Sequence, residues 1–268
     1  MTKLPETKSL VLELSNGWLT IWLNTPQNRN ALSTELSSEL VSTLESVKDD
    51  TSIRGITLRG KGGIFCAGGD LKEFSSIFSA ADDAYEKAMA SNLKGAELFS
   101  LINSMPKVVL AFVEGAAIAG GLGIVCCADV VCVMEDAKFS LTETQIGIVP
   151  AQIAPFIVQR FGYTTARRLM LTGARFKGSD AKALGLADAV VANITEFEAY
   201  ETQLKSSVHR CAPEANAATK AILLESQKRT PEDLRNYAAE IFASRLMSSE
   251  GREGITSFIE KRKPSWAE

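Results

Sequence analysis

The chain of 268 residues has one histidine, His209, and therefore little scope for a histidine-activated nucleophile. His209 falls in a helical C-terminal stretch, with no serine-histidine pattern about it, which argues against acyl transfer through an activated hydroxyl. The five cysteines show no CxxC or CxxH spacing; Cys126, Cys127 and Cys132 lie in apolar runs, where a thiol acts as small hydrophobic filler. Free thiols and no bound metal are expected. No stretch approaches the roughly 18 uninterrupted apolar residues of a membrane span, and the opening MTKLPETKSLVLEL lacks the apolar core of a secretory signal. A cytoplasmic location without membrane association is expected. A net charge of −3 gives no global field for nucleic acid, so no nucleic-acid partner is expected and an anionic ligand must be held by local features.

What is present is a soluble composition, 46% hydrophobic, enough to bury a substantial core. SLVLELSNGWLTIWLN alternates on both sides of Asn16-Gly17 and predicts a tight hairpin. Residues 34–49 repeat apolar positions at helical spacing and lead to the strand IRGITLRG, after which GKGGIFCAGGDLKEF reads as a glycine-rich loop. Residues 81–103 are good helix formers, stopped by Pro106 before the strand KVVLAFVEG. A strand VVCVME follows, then helices near 153–161 and 164–171. GSDAKALGLAD predicts a short helix with Ser179 capping its start and Gly185 left-handed at its end. This alternation makes residues 1–195 an α/β core. Residues 196–268 read as three or four helices, a region too apolar on its faces to stand alone, which must pack on the core or on a neighbouring subunit.

GAAIAGGLGIVCCAD, residues 115–129, is apolar all round, yet its helix begins at a Gly-Gly pair. Taken singly, this turn or CAGGD (66–70) reads as a tight turn packed in a core; neither matches GxGxxG or a phosphate-binding loop. Taken with Glu143, they suggest chemistry. Glycine lets backbone approach a ligand closely, so Gly69 and Gly120 can each aim an N–H at one carbonyl oxygen, with the N-terminus of helix 121–128 adding its partial positive charge. A buried apolar helix then serves as a rigid mount for a bare first turn.

FCAGGDLKEF, VEGAAIAGGLGIVCCADVV, FSLTETQIGIVP, LTGARFKGSDAKALGLADAVV and EGREGITSFIEKRKPSW, in this order and spacing, resemble consecutive signatures of the enoyl-CoA hydratase/isomerase (crotonase) superfamily. The resemblance implies a spiral of ββα units, a C-terminal helical trimerisation region, an acyl-CoA thioester as substrate with no separate cofactor, and a homotrimer or a dimer of trimers. It places Gly69 and Gly120 on the two oxyanion-hole donors and Glu143 on the second of two catalytic glutamates. Arg29, Ala67, Gly68, Asp70, Gln152, Phe258 and Lys261 fall where substrate or coenzyme A is bound, Lys261 with Arg262 and Lys263 as equivalent neighbours. The first glutamate of ordinary hydratases is missing: its position is Gly123.

One carboxylate beside two amides suffices to move a proton between carbons of a thioester enolate, so a Δ3-to-Δ2 double-bond shift is compatible with Glu143 alone. The dienoyl-CoA isomerase branch is less so, because its extra aspartate position is Ala151. Hydration asks one carboxylate to hold a water, with Gln145 or Gln152 to help fix it. GIVPAQIAPFIVQRFG is similar to the loop of hydratases of branched glutaconyl-CoA thioesters, including isohexenylglutaconyl-CoA hydratase. Hydration of a 2-enoyl-CoA is the leading expectation and isomerisation the second; a non-catalytic scaffold or RNA-associated member of the fold is the alternative of another class.

Overall fold

In the computed structural model, residues 4–78 and 83–267 are described. The hairpin forms as its turn chemistry dictates: β1 (Leu10–Ser15) and β2 (Trp18–Leu23) pair antiparallel, with Asn16 and Gly17 at φ +50° and +67°. β2 then begins a parallel series with β3 (Gly55–Gly60), β4 (Val108–Val113), β6 (Val130–Met134) and β9 (Ala189–Val191), making one sheet in the order β1-β2-β3-β4-β6-β9. Every residue of β3 is buried, as expected for a central strand covered on both faces.

A second sheet is smaller. β5 (Ala116–Ile118) pairs parallel with β7 (Lys138–Ser140), which pairs antiparallel with β8 (Arg175–Lys177). Strands this short carry no periodic signal, and the sequence reading leaves them as loop or as helix.

Helix α1 (Thr34–Val47) starts at Ser33, whose hydroxyl accepts from Leu36 N–H, and buries Leu36, Leu40, Leu44 and Val47 along one stripe. The loop expected over CAGGDLKEF ends sooner than the sequence suggests. Asp70 caps α2 (Leu71–Ile77), its carboxylate accepting from the amides of Lys72 and Glu73. Glu73 in turn accepts from the amide and hydroxyl of Thr34, 2.9 and 2.8 Å, tying α2 to the start of α1. α3 (Ala84–Ser104) and α4 (Gly120–Cys127) follow, and residues 79–82, which include the expected start of α3, lie outside the described residues. α5 (Ala154–Phe161) and α6 (Tyr163–Thr172) agree with the predicted pair. α7 (Gly178–Leu184) corrects one expectation: Ser179 lies inside it. The preceding Lys177 is its cap residue, its amide donating to Asp180 at 3.2 Å, while Gly185 takes the left-handed conformation at φ +89°. Cys66, Cys126, Cys127 and Cys132 are buried filler and Cys211 is exposed; all are free, and the thiols of Cys66, Cys126 and Cys132 are pushed up to about 12, chiefly by desolvation.

Four helices close the chain: α8 (Ile194–His209), α9 (Pro213–Glu225), α10 (Pro231–Met247) and α11 (Ser249–Ile259). α8 lies on the large sheet, with Phe197 edge-on to Phe112 at 4.6 Å between centroids and Glu201 accepting from Thr57 at 2.8 Å. α9 is pinned through Lys220, whose ammonium donates to Asp129 and to the Lys107 carbonyl, both at 2.6 Å. Among the described residues no helix is long and apolar enough to cross a membrane.

Lys220→Ala removes the only charge that meets Asp129 in this ion pair and leaves the Lys107 carbonyl without that donor. Because Asp129 keeps the Val109 amide at 2.7 Å, the expected loss is about 2 kcal/mol, below the usual cost of breaking a fully buried pair. Urea unfolding checks this; an unchanged midpoint would mean that α9 docks without the ion pair.

Candidate active site

Three chain segments run side by side in parallel, two of them strands of the small sheet. A bridge pairs Cys66 with Ala117, and Ala117 pairs with Phe139 across β5 and β7. Hydrogen bonds from Phe65 and Cys66 amides to the Ala116 carbonyl (3.1 and 3.0 Å), and from Ile118 to Cys66 (3.0 Å), fix the register. From that common line the chains leave in the same direction. Three residues beyond Cys66 stands Gly69, three beyond Ala117 stands Gly120, and four beyond Phe139 stands Glu143. Strand register thus starts the three segments from one line, at the carboxyl ends where α/β folds place their ligands.

The two glycines stand against each other. A Cβ on Gly120 would lie 3.0 Å from Leu32 Cδ1 and 3.9 Å from the Gly69 nitrogen; one on Gly69 would lie 2.8 Å from the Phe74 ring. Gly68, at φ +95°, would drive a Cβ to 2.9 Å from that of Ala119. Neither loop therefore accepts a side chain where the other passes. Among the described residues, neither the Gly69 nor the Gly120 amide donates to another part of the chain.

Ala119 makes the turn between β5 and α4 in a single residue, at φ +50° and ψ −122°, a conformation that L-residues avoid. It is held from both sides: its amide donates to the Ser140 carbonyl at 2.8 Å, and its carbonyl accepts the first bond of the helix, from Gly123 at 3.0 Å. The amides ahead of Gly123 are the orphan donors of a helix N-terminus. Behind them Gly121 to Cys127 are all buried. The all-apolar stretch is therefore strand, strained turn and buried helix in succession.

Glu143 opens a 3₁₀ turn, Glu143–Ile146, and is 8% exposed. Its Oε2 is buried with no hydrogen-bond partner among the described residues, and desolvation holds its carboxyl above the ordinary range, partly offset by its own backbone amide. An unpaired carboxylate kept out of water costs stability, which is the usual condition of a group used for chemistry.

The first-glutamate position is closed. A Cβ on Gly123 would lie 2.3 Å from Ile153 Cγ2 and 3.2 Å from Phe99 Cε1. Ile153 and Phe99 fill the volume through which a side chain would leave α4, and the arrangement has one carboxylate, not two.

The other expected residues are distributed as follows. Arg29, exposed at φ +58°, accepts through its carbonyl from the Ala67 amide at 3.0 Å, so these two positions are one hydrogen-bonded corner next to Gly68. Asp70 uses its carboxylate to cap α2. Gln152 donates to Asn92 on α3 at 2.6 Å. Gln145, expected as a possible aid to a water, instead donates to the Gly173 carbonyl at 3.1 Å and packs on Gly173, which anchors the 3₁₀ turn. Phe258 and Lys261, at the end of α11, are exposed, Lys261 at φ +55°. His209 faces Trp18, ring centroids 6.1 Å apart, and takes no part in the site; burial first, then Arg54 and Lys205, lower its pKa. The sequence reading missed Asn92 and the pressing of Phe74 on Gly69; the spacing of Phe74 from a capping aspartate was the available signal for the latter.

Comparison with known proteins identifies the family. The family model described as enoyl-CoA hydratase/isomerase matches residues 13–268. The chain belongs to the enoyl-CoA hydratase/isomerase family. It is 44% identical to the solved structure of Pseudomonas aeruginosa AtuE, with a TM-score of 0.93 over 97% of this chain and 100% of that one. It is 32% identical to the peroxisomal Delta(3,5)-Delta(2,4)-dienoyl-CoA isomerase of Arabidopsis thaliana, covering 91% of each chain. It is 30% identical to the 2,3-dehydroadipyl-CoA hydratase of Escherichia coli, over 96% of this chain and 98% of that one.

Gly123→Glu, which would restore the residue of ordinary hydratases, is expected to destabilise this family member by about 2–3 kcal/mol, because a buried site is overpacked and a charge is buried without a partner. Pairing it with Ile153→Ala should recover at least half of that loss in thermal unfolding. A Gly123→Glu protein as stable as the parent would show that Ile153 does not close the position.

Proposed function

We propose that this protein hydrates a 2-enoyl-CoA, of which a branched glutaconyl-CoA is the class we favour, through a thioester enolate held by the amides of Gly69 and Gly120. The observation that carries the reading is that Gly69, Gly120 and Glu143 leave one register line three, three and four residues on, the two amides donating to no other part of the described chain and Glu143 Oε2 buried without a hydrogen-bond partner. Glu143 takes a proton from water as the water oxygen bonds to C3. Electrons move through C2 to the thioester oxygen, which the two amides stabilise. The enolate then collapses and takes the proton from Glu143 at C2, so that one water has been added. Each donor of such a hole is worth about 2.7–4 kcal/mol of barrier.

The hydrogen-bonded corner of Arg29 and Ala67, next to Gly68, supports a coenzyme A site there. Exposed Phe242, Met247, Phe258 and Ile259 on α10 and α11 are apolar surface that a homotrimer or dimer of trimers would cover, and this would bring Lys261 of one subunit toward the nucleotide of another. Isomerisation is the second reading, favoured by the single carboxylate: Glu143 would take a proton from C2 of a 3-enoyl-CoA and return it to C4, with no water added.

Glu143→Gln keeps the shape of the side chain and removes the base. Turnover of a 2-enoyl-CoA, followed by loss of the conjugated-thioester absorbance, should fall by about 10²–10⁴-fold, with coenzyme A affinity nearly unchanged. Near-parental turnover would refute the assignment.

The pH profile has a defined sign. The base must be ionised, and burial raises its pKa, so kcat/KM should rise with pH through an acid limb above the ordinary carboxylate range. Since the folded protein binds this proton more tightly than the unfolded chain, the contribution to stability is present below the ordinary carboxylate pKa and is lost as pH rises through the raised one. Glu143→Gln should abolish both dependences, measured by initial rates and by chemical unfolding across pH.

A further inference from the structure

We propose that the amide pair Asn92–Gln152 binds a carboxylate at the far end of the acyl chain and makes the enzyme selective for coenzyme A thioesters of dicarboxylic acids. This rests on the acyl-CoA reading above and adds to it the residues that select the substrate.

The first support is position. α3 runs past the start of α4 at Phe99, whose ring lies 3.7 Å from a Cβ built on Gly120 and 3.2 Å from one built on Gly123. Asn92 is seven residues earlier, two turns back on the same helical face and about 10 Å along the axis from Phe99. The intervening residues on that face are Gly95 and Ala96, too small to obstruct the way. Gln152 reaches Asn92 from the segment before α5, and the next residue, Ile153, closes the Gly123 position. The pair therefore lies beyond the oxyanion hole along α3, at a span that a five-carbon acyl chain with a terminal carboxylate, plus one hydrogen bond, can bridge.

The second support is hydrogen-bonding capacity. Gln152 Nε2 donates to Asn92 Oδ1 at 2.6 Å. One N–H of Gln152 and the whole NH₂ of Asn92 remain as donors, with no other protein acceptor among the described residues. Two neighbouring amides that present N–H groups can receive both oxygens of a carboxylate without the desolvation cost of an opposing charge. Met89 and Leu93 of α3, and Ile148 and Val149 ahead of Gln152, are exposed apolar side chains close in sequence to the pair. Asn92 is exposed and Gln152 half-buried, so the pair is reachable by a ligand and offers the discrimination of a charge-assisted hydrogen bond.

The test is calorimetric titration with two saturated thioesters that cannot turn over, glutaryl-CoA and pentanoyl-CoA, equal in carbon count and different only at the terminus. The parent protein should bind glutaryl-CoA about tenfold or more tightly than pentanoyl-CoA, the range of a charge-assisted hydrogen bond. Gln152→Glu can still accept from the Asn92 amide, preserving the tie between α3 and the loop while repelling a carboxylate. It should lose that preference, with pentanoyl-CoA within about twofold of the parent. Asn92→Leu should lose it as well and bind pentanoyl-CoA no more weakly. Equal parental affinity for the two ligands, or equal loss of both in the variants, would overturn the proposal, the second outcome assigning the pair a purely structural role. Failure of the parent to bind either ligand would instead refute the acyl-CoA reading, and so separates the two failures.

Discussion

The site depends on strand register. The peptide hydrogen bonds linking Cys66, Ala117 and Phe139 in parallel set where three loops emerge, and Gly69, Gly120 and Glu143 follow at nearly equal distances along their chains. A slip of one residue in any of the three would turn its side chains to the opposite face and withdraw its functional group from the edge. This explains why short strands, too weak to be seen in the sequence, matter more to function than the large sheet behind them. The large sheet and α1 supply the immobile backing, and the strain at Ala119 persists because hydrogen bonds to Ser140 and Gly123 hold it.

Around this frame the protein keeps one carboxylate dry and excludes another. Glu143 keeps one carboxylate oxygen buried without a partner, at a cost to stability that the surrounding core must offset. The neighbouring position on α4 is filled by Ile153 and Phe99, which lets the loop before α5 press against the catalytic helix. The family's likeness to both hydratases and isomerases is intelligible on this basis. The enolate device is common to both reactions; what surrounds it decides which carbon exchanges a proton and whether water takes part.

Much of this was legible beforehand because it rests on local rules. Asn16-Gly17 requires a tight hairpin, the apolar spacing of α1 requires a buried stripe, and a Gly-Gly pair ahead of an apolar run marks an exposed helix start. Gly69, Gly120 and Glu143 were singled out through the family resemblance, and the register gives a physical reason for their spacing. What stayed hidden was non-local. The three-residue strands β5, β7 and β8 have too few positions to show alternation. The cap of α7 was misplaced because Ser179 has the right chemistry one turn position too late, inside a helix that begins at Gly178. Gln145 and Gln152 are alike as sequence, yet one donates to Gly173 and the other to Asn92 on a helix 60 residues away. No pattern in the chain separates them.

The claim most exposed to refutation is that two backbone amides polarise a single thioester oxygen. Its direct measurement is the infrared stretch of a bound 2-enoyl-CoA labelled with carbon-13 at the thioester carbonyl. The account predicts a clear shift to lower frequency in the Glu143→Gln protein, in which the hole is intact and turnover is suppressed. A carbonyl stretch at its value in water, with the ligand shown to be bound, would contradict it.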